Sequence, residues 1–237
     1  MIISDIKMMD CIEGMKQYPD KFFDLAIVDP PYGLGKKIHD GGTWAEKYKR
    51  SPLQGGRPFP KSNGHLWDVA PTKEYFDELF RVSKNQIIWG ANHFELPRTE
   101  CFVTWDKLDK EDSLTFAMVE YAWTSFDTRP KVFRRARGLD NGFMRKSSDG
   151  VKFHPTQKPI QLYEWLLKNY AKKGNKILDT HLGSQSSRIA AYKMGFDFWA
   201  FEIDEDYFKQ GNERFKKAIA MPLFDLPTPS VKELTLL

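Results

Sequence analysis

Short, almost continuously apolar segments alternate with amphipathic segments along most of this chain, and this alternation constrains the fold more than any other feature. Segments of this kind are typical of strands buried on both faces of a sheet, and strands separated by helices favour parallel pairing. We predict strands at Ile2–Lys7, Leu25–Val28, Gln86–Trp89, Phe102–Trp105, Val119–Trp123, Lys176–Leu178 and Phe198–Ile203. We predict helices at Ile12–Gln17, Thr72–Val82, Gln161–Ala171, Ser187–Met194 and Glu205–Lys217. The sequence therefore predicts an α/β fold whose sheet is mostly parallel and doubly wound, with about seven strands and helices on both faces.

The chain has 237 residues, a length typical of one large domain. We expect a single domain over residues 1–220 and a tail over 221–237, where three prolines interrupt the sequence. No run reaches the roughly 18 uncharged apolar residues of a membrane span, and acidic residues break the apolar core that a signal peptide would need. We therefore expect a cytoplasmic protein. Its two cysteines, Cys11 and Cys101, are too few for a zinc cluster, and we expect neither a disulfide nor a metal.

The positive charge is concentrated in two stretches of the chain. Residues 36–61 carry seven Lys/Arg against two acids, and residues 127–153 carry eight against three, although the whole chain has a net charge of only +4. Both stretches lack helical or strand periodicity, so we predict long loops, with a mobile basic loop over 36–66. Two basic loops on an otherwise acidic body favour a polyanionic partner over a merely solvated surface.

A strand that runs into Asp-Pro-Pro-Tyr is the strongest chemical signal, in the segment FFDLAIVDPPYGLG. Pro30 and Pro31 cannot donate ladder hydrogen bonds, so the strand has to end at Asp29. The corner then presents the Asp29 carboxylate, the Pro30 carbonyl and the ring of Tyr32 at the edge of the sheet. These groups suit a planar ring with an exocyclic amine, because two oxygens accept the amine hydrogens while the tyrosine stacks on the ring. We predict that Asp29, Pro30, Pro31 and Tyr32 are the catalytic residues.

A turn of small residues follows a later predicted strand. That strand leads into Asp179, Gly183 and Ser184 lie between it and the next helix, and the following strand reaches Glu202, 23 residues after Asp179. This arrangement favours a Rossmann-like nucleoside site, although a plain strand-to-helix turn with a surface glutamate has the same pattern. The turn lacks G-x-G-x-x-G, which disfavours a nicotinamide- or flavin-dependent oxidoreductase. Only 35 residues follow Glu202, so the other strands must come from the N-terminal part, and the order of the motifs is permuted.

Three segments together resemble the amino-group DNA methyltransferases that use S-adenosylmethionine, in the arrangement where the catalytic corner precedes the cofactor turn. They are DPPY at 29–32, HPTQKP at 154–159 and GFDFWAFEIDEDYF at 195–208, and the resemblance extends over residues 4–217. Aspartate before PPY resembles the adenine-N6 members more than the cytosine-N4 members. The resemblance therefore implies transfer of a methyl group to the N6 amine of an adenine that is rotated out of the duplex.

The resemblance also implies a set of cofactor-binding residues. These are Asp10, Cys11, Asp29, Thr156, Lys158, Asp179, His181, Gly183, Ser184 and Glu202. By this resemblance Asp10 binds the adenine of the cofactor, Glu202 holds the ribose, and Thr156 and Lys158 help to hold the methionine end. The family turn reads close to D-P-F-x-G-S-G, whereas this chain has DTHLGSQ, with His181 in place of an aromatic ring and Gln185 in place of a glycine.

DNA is the predicted partner, and the basic stretches supply the predicted contacts. We predict DNA contacts by Lys36, Lys37, Arg50, Arg134, Arg135 and Arg137. Residues 127–153 are the candidate target-recognition insertion, and their short length favours a short target or a homodimer. The resemblance also places Trp89, Asn92, His93 and Trp105 around the target base. A cytosine-N4 or RNA methyltransferase would use the same corner, and a non-catalytic nucleic-acid-binding module would keep the basic loops but tolerate a filled cofactor turn.

Overall fold

One eight-stranded sheet forms the centre of the part of the chain that the computed structural model describes, which is residues 2–33, 68–108, 117–135, 154 and 156–220. The strands are β1 (Ser4–Met8), β2 (Phe23–Val28), β3 (Ser83–Trp89), β4 (Phe102–Asp106), β5 (Val119–Thr124), β6 (Lys131–Arg134), β7 (Lys176–Asp179) and β8 (Asp197–Glu202). The helices are α1 (Cys11–Met15), α2 (Lys73–Val82), α3 (Ile160–Tyr170), α4 (Ser186–Met194) and α5 (Glu205–Ala220), and a 3₁₀ turn spans Ala91–His93.

The strand order β1-β8-β7-β2-β3-β5-β4-β6 creates a switch point between β7 and β2. Parallel pairing joins the five neighbouring strands β1, β8, β7, β2 and β3. Strand β5 runs antiparallel to both β3 and β4. From β2 the chain continues outward to β3, and from β7 it continues in the opposite direction to β8. In open α/β sheets the crevice for a ligand lies at such a point, beyond the carboxyl ends of the strands.

The sheet is covered on both faces, as the sequence predicts. Leu25 and Ile27 of β2 point into the apolar layer formed with α3, α4 and α5, while Ala26 and Val28 point into the layer formed with α1 and α2. Successive residues of a strand face opposite sides, so this alternation requires apolar residues at all four positions from Leu25 to Val28. The continuous apolar run that predicts a doubly buried strand has this physical origin.

The main correction to the predicted fold concerns the second basic stretch. Residues 127–153 are predicted as a loop throughout, but Lys131–Arg134 forms β6, which pairs in parallel with β4 at the edge of the sheet. The strand has only four residues, and Val132 and Arg134 are exposed, so the segment lacks the apolar signal of the inner strands. The predicted loop over 36–66 and the tail over 221–237 lie outside the described residues, as does the stretch after Arg135 up to 153.

The ends of several elements differ by one to two residues from the predicted bounds, which is normal for helix and strand ends. Asp10 lies after β1 as the N-cap of α1, where its carboxylate accepts hydrogen bonds from the backbone N–H groups of Ile12 and Glu13. In the described segments, every helix is too short or too polar to cross a lipid bilayer.

Candidate active site

The carboxyl ends of the parallel strands bring the predicted site residues to one edge of the sheet. Asp29 follows β2, Asp179 ends β7 and Glu202 ends β8, and these three strands are direct neighbours in the order β8-β7-β2. Neighbouring strands lie about 4.8 Å apart, so the Asp29 corner and the Asp179 turn face each other across a single strand spacing. The two motifs, separated by 150 residues in sequence, therefore flank the switch point of the sheet.

Both carboxylate oxygens of Asp29 have partners. The Tyr32 hydroxyl donates a hydrogen bond to Oδ1 at 2.7 Å, and the ammonium of Lys158 forms an ion pair with Oδ2. The Asp29 side chain is only 15% exposed and that of Lys158 only 3% exposed. The carboxylate is thus fixed from two sides in a largely desolvated corner.

Lys158 begins a chain of alternating charges that crosses the sheet edge. Its Nζ lies 3.2 Å from Oε2 of Glu120, and Oε1 of Glu120 lies 2.6 Å from Nζ of Lys107. Burial by itself would lower the pKa of Lys158, but the carboxylates of Asp29 and Glu120 outweigh burial and raise this pKa well above its usual range. Burial likewise opposes ionisation of Glu120, but Lys158 and Lys107 lower its pKa to about 2. Lys158 and Glu120 are therefore both charged at neutral pH.

The ring of Tyr32 is held by the turn after β3. It stacks on His93 with ring centroids 4.9 Å apart and an interplanar angle of 18°, and the edge of Phe94 lies against it. Gly90 has a φ of +70° and lies so close that a Cβ there would be 2.1 Å from Cε1 of Tyr32. Only glycine meets both requirements, the left-handed backbone and the close approach of the ring. Burial, followed by the charge of Asp29, raises the pKa of the Tyr32 hydroxyl, which stays protonated and donates.

Asp179 anchors the turn after β7. It is fully buried, its Oδ2 accepts a 2.5 Å hydrogen bond from the Ser187 hydroxyl, and its Oδ1 accepts from the backbone N–H of His181 at 3.0 Å. Burial raises the pKa of this carboxyl to about 7, more than these two hydrogen bonds lower it. Because its oxygens bind the two ends of the turn, we interpret Asp179 as a residue that shapes the turn.

Gly183 and Glu202 form the part of the turn that is best suited to a ligand. The backbone N–H of Gly183 donates to Oε2 of Glu202 at 2.6 Å, and φ at Gly183 is +46°. A Cβ at Gly183 would lie 3.2 Å from Nε2 of His154, whose ring also packs edge-on against Tyr207 at 4.3 Å. Burial raises the pKa of Glu202, although the N–H groups of Asp204 and Gly183 oppose this shift. A carboxylate can accept hydrogen bonds from ribose hydroxyls, and a glycine beside it lets a ligand approach the backbone closely.

His181 occupies the position where the family turn carries an aromatic ring. Its Nδ1 lies 2.9 Å from the Thr180 hydroxyl, which is itself 2.7 Å from the hydroxyl of Tyr75. Its Nε2 lies 3.9 Å from the sulfur of Cys11, and burial raises the pKa of that thiol to about 12. Burial lowers the pKa of His181 to about 4, so the imidazole is neutral at pH 7.

The other predicted cofactor residues divide into three groups. Ser184 is buried in the turn, with its hydroxyl 3.2 Å from that of Ser186. Thr156 is exposed and lies next to His154, whose Nδ1 is 3.2 Å from the Thr156 hydroxyl. Lys158 binds Asp29 and Glu120 in this structure, although the resemblance implies a place at the methionine end of the cofactor. Its backbone does touch the turn, because the Ser186 hydroxyl donates to the Lys158 carbonyl at 2.7 Å.

The residues predicted around the target base fall into two groups, one buried and one exposed. Trp89 is fully buried, with Nζ of Lys158 lying 5.5 Å from its ring centroid, and Trp105 is buried with its indole N–H donating to the Arg135 carbonyl. Both tryptophans therefore belong mainly to the core. Asn92 and His93 are exposed beside Tyr32.

Two of the basic residues predicted to contact DNA, Arg134 and Arg135, lie away from this cluster. Arg134 lies on β6, four strands from β2, or about 19 Å at the usual strand spacing, and its guanidinium is 3.4 Å from Asp106. Arg135 follows it directly, with its N–H bound to the Asp106 carbonyl. Lys36, Lys37, Arg50 and Arg137 lie outside the described residues.

Sequence reasoning does not identify Glu120, Lys107 or Gly90 as site residues. Glu120 and Lys107 sit at the ends of the antiparallel strands β5 and β4, next to no recognisable motif. The only available signal is a charged residue at a strand position whose neighbours are apolar, which also fits a solvated strand end. Gly90 follows a strand directly, as many turn glycines do.

Comparison with known proteins agrees with this geometry. Residues 131–213 match the N6/N4 methyltransferase family model, described as DNA methylase. The type II methyltransferase M.HinfI of Haemophilus influenzae is 22% identical, over 88% of this chain and 67% of its own length. The chain is therefore similar to the N6/N4 DNA methyltransferases, through the family model over residues 131–213 and through this relative over most of its length.

Solved structures of other proteins share the fold. The cytosine-N4-specific PvuII DNA methyltransferase superposes with a TM-score of 0.56 at 14% identity, over 92% of this chain and 91% of its own. The complex of M1.HpyAVI with SAM superposes with a TM-score of 0.52 at 18% identity, over 90% and 100% of the two chains. The predicted α/β fold with its mostly parallel sheet is therefore confirmed.

Proposed function

We propose that this protein is a DNA methyltransferase, which transfers a methyl group from S-adenosylmethionine to the N6 amine of an adenine that is rotated out of the DNA duplex. The observation that carries the proposal is the position of the Asp29 corner and the Asp179–Glu202 turn on the two sides of the β2/β7 switch point. One motif suits an amine-bearing base and the other suits a nucleoside. Their separation by one strand spacing would place donor and acceptor within reach of each other.

The residues at the turn fit S-adenosylmethionine. Glu202 can hold ribose hydroxyls, and the glycine backbone at Gly183 leaves room where a Cβ would meet His154. His181 offers a flat ring that carries no charge at pH 7, because its pKa is about 4. A neutral ring does not repel a cationic ligand. When bound, S-adenosylmethionine supplies an electrophilic methyl group on a positively charged sulfur.

Asp29 and Tyr32 would hold the target base. Each carboxylate oxygen has two lone pairs, so Asp29 can accept an amine hydrogen while it keeps its bonds to Tyr32 and Lys158. These two partners fix the orientation of the carboxylate in advance, which is the main way a protein accelerates a transfer between two bound groups. The Pro30 carbonyl is the second proposed acceptor, and Tyr32 stacks on the base. Drawing the amine hydrogens out of the ring plane favours the nucleophilic nitrogen of the transition state.

We further propose that DNA is bound by the basic stretches, with Arg134 and Arg135 on β6 among the contacts and residues 127–153 as the recognition insertion. Arg134 is 66% exposed despite its contact with Asp106, so its guanidinium is available to a phosphate. A homodimer would supply the recognition surface that a short insertion lacks. Domain limits of 1–220 and 221–237 remain predictions.

Product analysis tests the proposal. The purified full chain is incubated with S-adenosylmethionine and enzymatically amplified DNA, which has no modified bases, and the DNA is digested to nucleosides for mass spectrometry. We expect N6-methyladenine. N4-methylcytosine instead would overturn the choice of base, methylated RNA alone would overturn DNA as the substrate, and DNA binding without any product would indicate a non-catalytic binding module.

The matched variants are Asp29→Asn and Asp77→Asn. Asparagine keeps the shape of Asp29 but loses the charge, and we expect at least about a 100-fold loss of methylation, as for other preorganised polar groups at active sites. Asp77 is an exposed aspartate on α2 that pairs with Lys73, and its variant should methylate normally. Equal activity of both variants would remove Asp29 from the mechanism.

A further inference from the structure

Gln185, which stands where the family turn has a glycine, adopts a backbone conformation that favours glycine. Its φ is +61° and its ψ is 23°, in the left-handed region, at the N-cap of α4. In the described part of the chain only Lys21, Leu108 and Gln185 are non-glycine residues with positive φ. Residues other than glycine, asparagine and aspartate rarely adopt this backbone conformation without support from their surroundings.

The Gln185 side chain lies between α4 and α5 rather than in the turn. It is fully buried, its Oε1 accepts a hydrogen bond from Arg188 at 2.9 Å, and its Nε2 donates to the Phe208 carbonyl at 3.4 Å. Arg188 is itself buried and also donates to the side chains of Ser4 and Asn212. The bulk that replaces glycine is therefore directed into the helix interface, away from Gly183 and Glu202.

Gly211 makes room for this side chain. A Cβ on Gly211 of α5 would lie 2.6 Å from Cγ and 2.7 Å from Nε2 of Gln185, which real Cβ atoms do not tolerate. A helix interior normally disfavours glycine relative to alanine, so packing is the physical reason for glycine at this position. The non-glycine in the turn and the glycine in the helix complement each other in volume.

Helix α5 holds the turn at two further points. Nη1 of Arg214 donates to the Ser184 carbonyl at 2.5 Å. Tyr207 packs against His154, and His154 in turn lies against Gly183. A shift of α5 relative to α4 would therefore move the backbone on both sides of Gly183.

We infer that Gln185 and Gly211 act together as positioning residues for the ligand turn, with the buried amide locking the turn in the left-handed conformation that glycine reaches by its own freedom. This inference deepens the proposed function, because it rests on the turn being the S-adenosylmethionine site. It predicts that the turn keeps its binding conformation either with Gln185 opposite Gly211 or with glycine at 185. The turn loses this conformation with another side chain at 185, or with Gln185 opposite a residue larger than glycine at 211.

Five variants of the full chain test the inference, with S-adenosylmethionine binding measured by titration calorimetry and the melting temperature measured without ligand. Gly211→Ala should weaken binding about tenfold, which corresponds to about 1.4 kcal/mol, because the new Cβ displaces Gln185. Gln185→Ala should weaken binding to a similar extent, since alanine loses the amide contacts but keeps the backbone penalty. Gln185→Gly combined with Gly211→Ala should bind within about threefold of Gln185→Gly alone. Lys217→Ala, an exposed change on the same helix, is the control for binding and melting.

Two results would overturn the inference: wild-type affinity in Gly211→Ala, or a double variant that binds no better than Gly211→Ala. General destabilisation would lower the melting temperature of Gly211→Ala without recovery of affinity in the double variant. If the wild-type chain does not bind S-adenosylmethionine, the proposed function fails instead. The melting temperatures then decide the inference by themselves, because a coupled pair requires Gln185→Gly to restore the stability that Gly211→Ala loses.

Discussion

Replacement of Glu120 by glutamine tests the buried charge chain most directly. Glutamine has the same shape as Glu120 but no charge, so Lys158 keeps Asp29 but loses the Glu120 carboxylate, and Lys107 loses its ion pair with Glu120. Breaking one partner of a buried ion pair is costly, because the remaining charge has no compensation. We expect Glu120→Gln to lower both the free energy of unfolding and the methylation rate.

The magnitude follows from the pKa of Glu120, which falls from 4.5 to about 2 on folding. At about 1.4 kcal/mol for each pKa unit, the ionised form contributes about 3 kcal/mol of stability at pH 7. The folded-state pKa is depressed, so this contribution is complete above pH 4.5 and declines as the pH falls towards 2. At pH 3 about 1 kcal/mol remains by the same linkage relation. The variant should thus be less stable than the wild type by about 3 kcal/mol at pH 7 and by about 1 kcal/mol at pH 3.

Urea unfolding at both pH values measures these differences. Glu100→Gln is the control, since Glu100 is 67% exposed and its loss should change stability by less than about 0.5 kcal/mol. An equal difference between Glu120→Gln and the wild type at pH 7 and pH 3 would refute the argument. A carboxyl resonance of Glu120 that titrates near pH 4.5 in the folded protein would refute it as well.

Three further predictions concern other parts of the molecule. Gly90→Ala should lower methylation about 100-fold, because the new Cβ would displace the ring of Tyr32. The control is Gly174→Ala, since Gly174 also has a positive φ but a Cβ there would have no atom within 4 Å. This control should stay active and lose only about 1 kcal/mol of stability in urea unfolding. Burial lowers the pKa of His181 in the folded protein to about 4, so the unfolded chain binds a proton at this residue at higher pH than the folded chain does. The free energy of unfolding of the wild type should therefore fall between pH 6.5 and pH 4. It should fall less steeply in His181→Phe, as measured by urea unfolding. Arg134→Ala should reduce the slope of log DNA affinity against log salt concentration by about one, whereas Arg98→Ala, an exposed change elsewhere, should leave this slope unchanged.

The inner strands and the Asp29 corner can be predicted from the sequence because their signals are local. A strand buried on both faces has to be apolar at every position, and two consecutive prolines end a strand whatever surrounds them. The edge strand β6 gives no such signal, because its residues 131–134 are only partly buried and pair with β4, which lies 28 positions earlier in the register. Its strand conformation depends on that partner.

The partners of Lys158 also cannot be predicted from the sequence, because they are distant along the chain. The sequence marks this lysine through its motif, but Asp29 lies 129 positions away and Glu120 belongs to a strand with no motif. Gln185 is a second case, because the departure from glycine is visible in the sequence, whereas the space that Gly211 provides for it is visible only once α4 and α5 are packed.

The sequence by itself determined the alternation of strands and helices, the corner at residues 29–32 and the turn that begins at Asp179. Hydrophobic periodicity and proline chemistry act between near neighbours, so they can be read from the chain. Only the tertiary structure decided that the two motifs flank one switch point, that two carboxylates and two lysines alternate in a chain of ion pairs, and that Gln185 points away from the turn. These features depend on strand order and helix packing, which bring together residues that no local pattern relates.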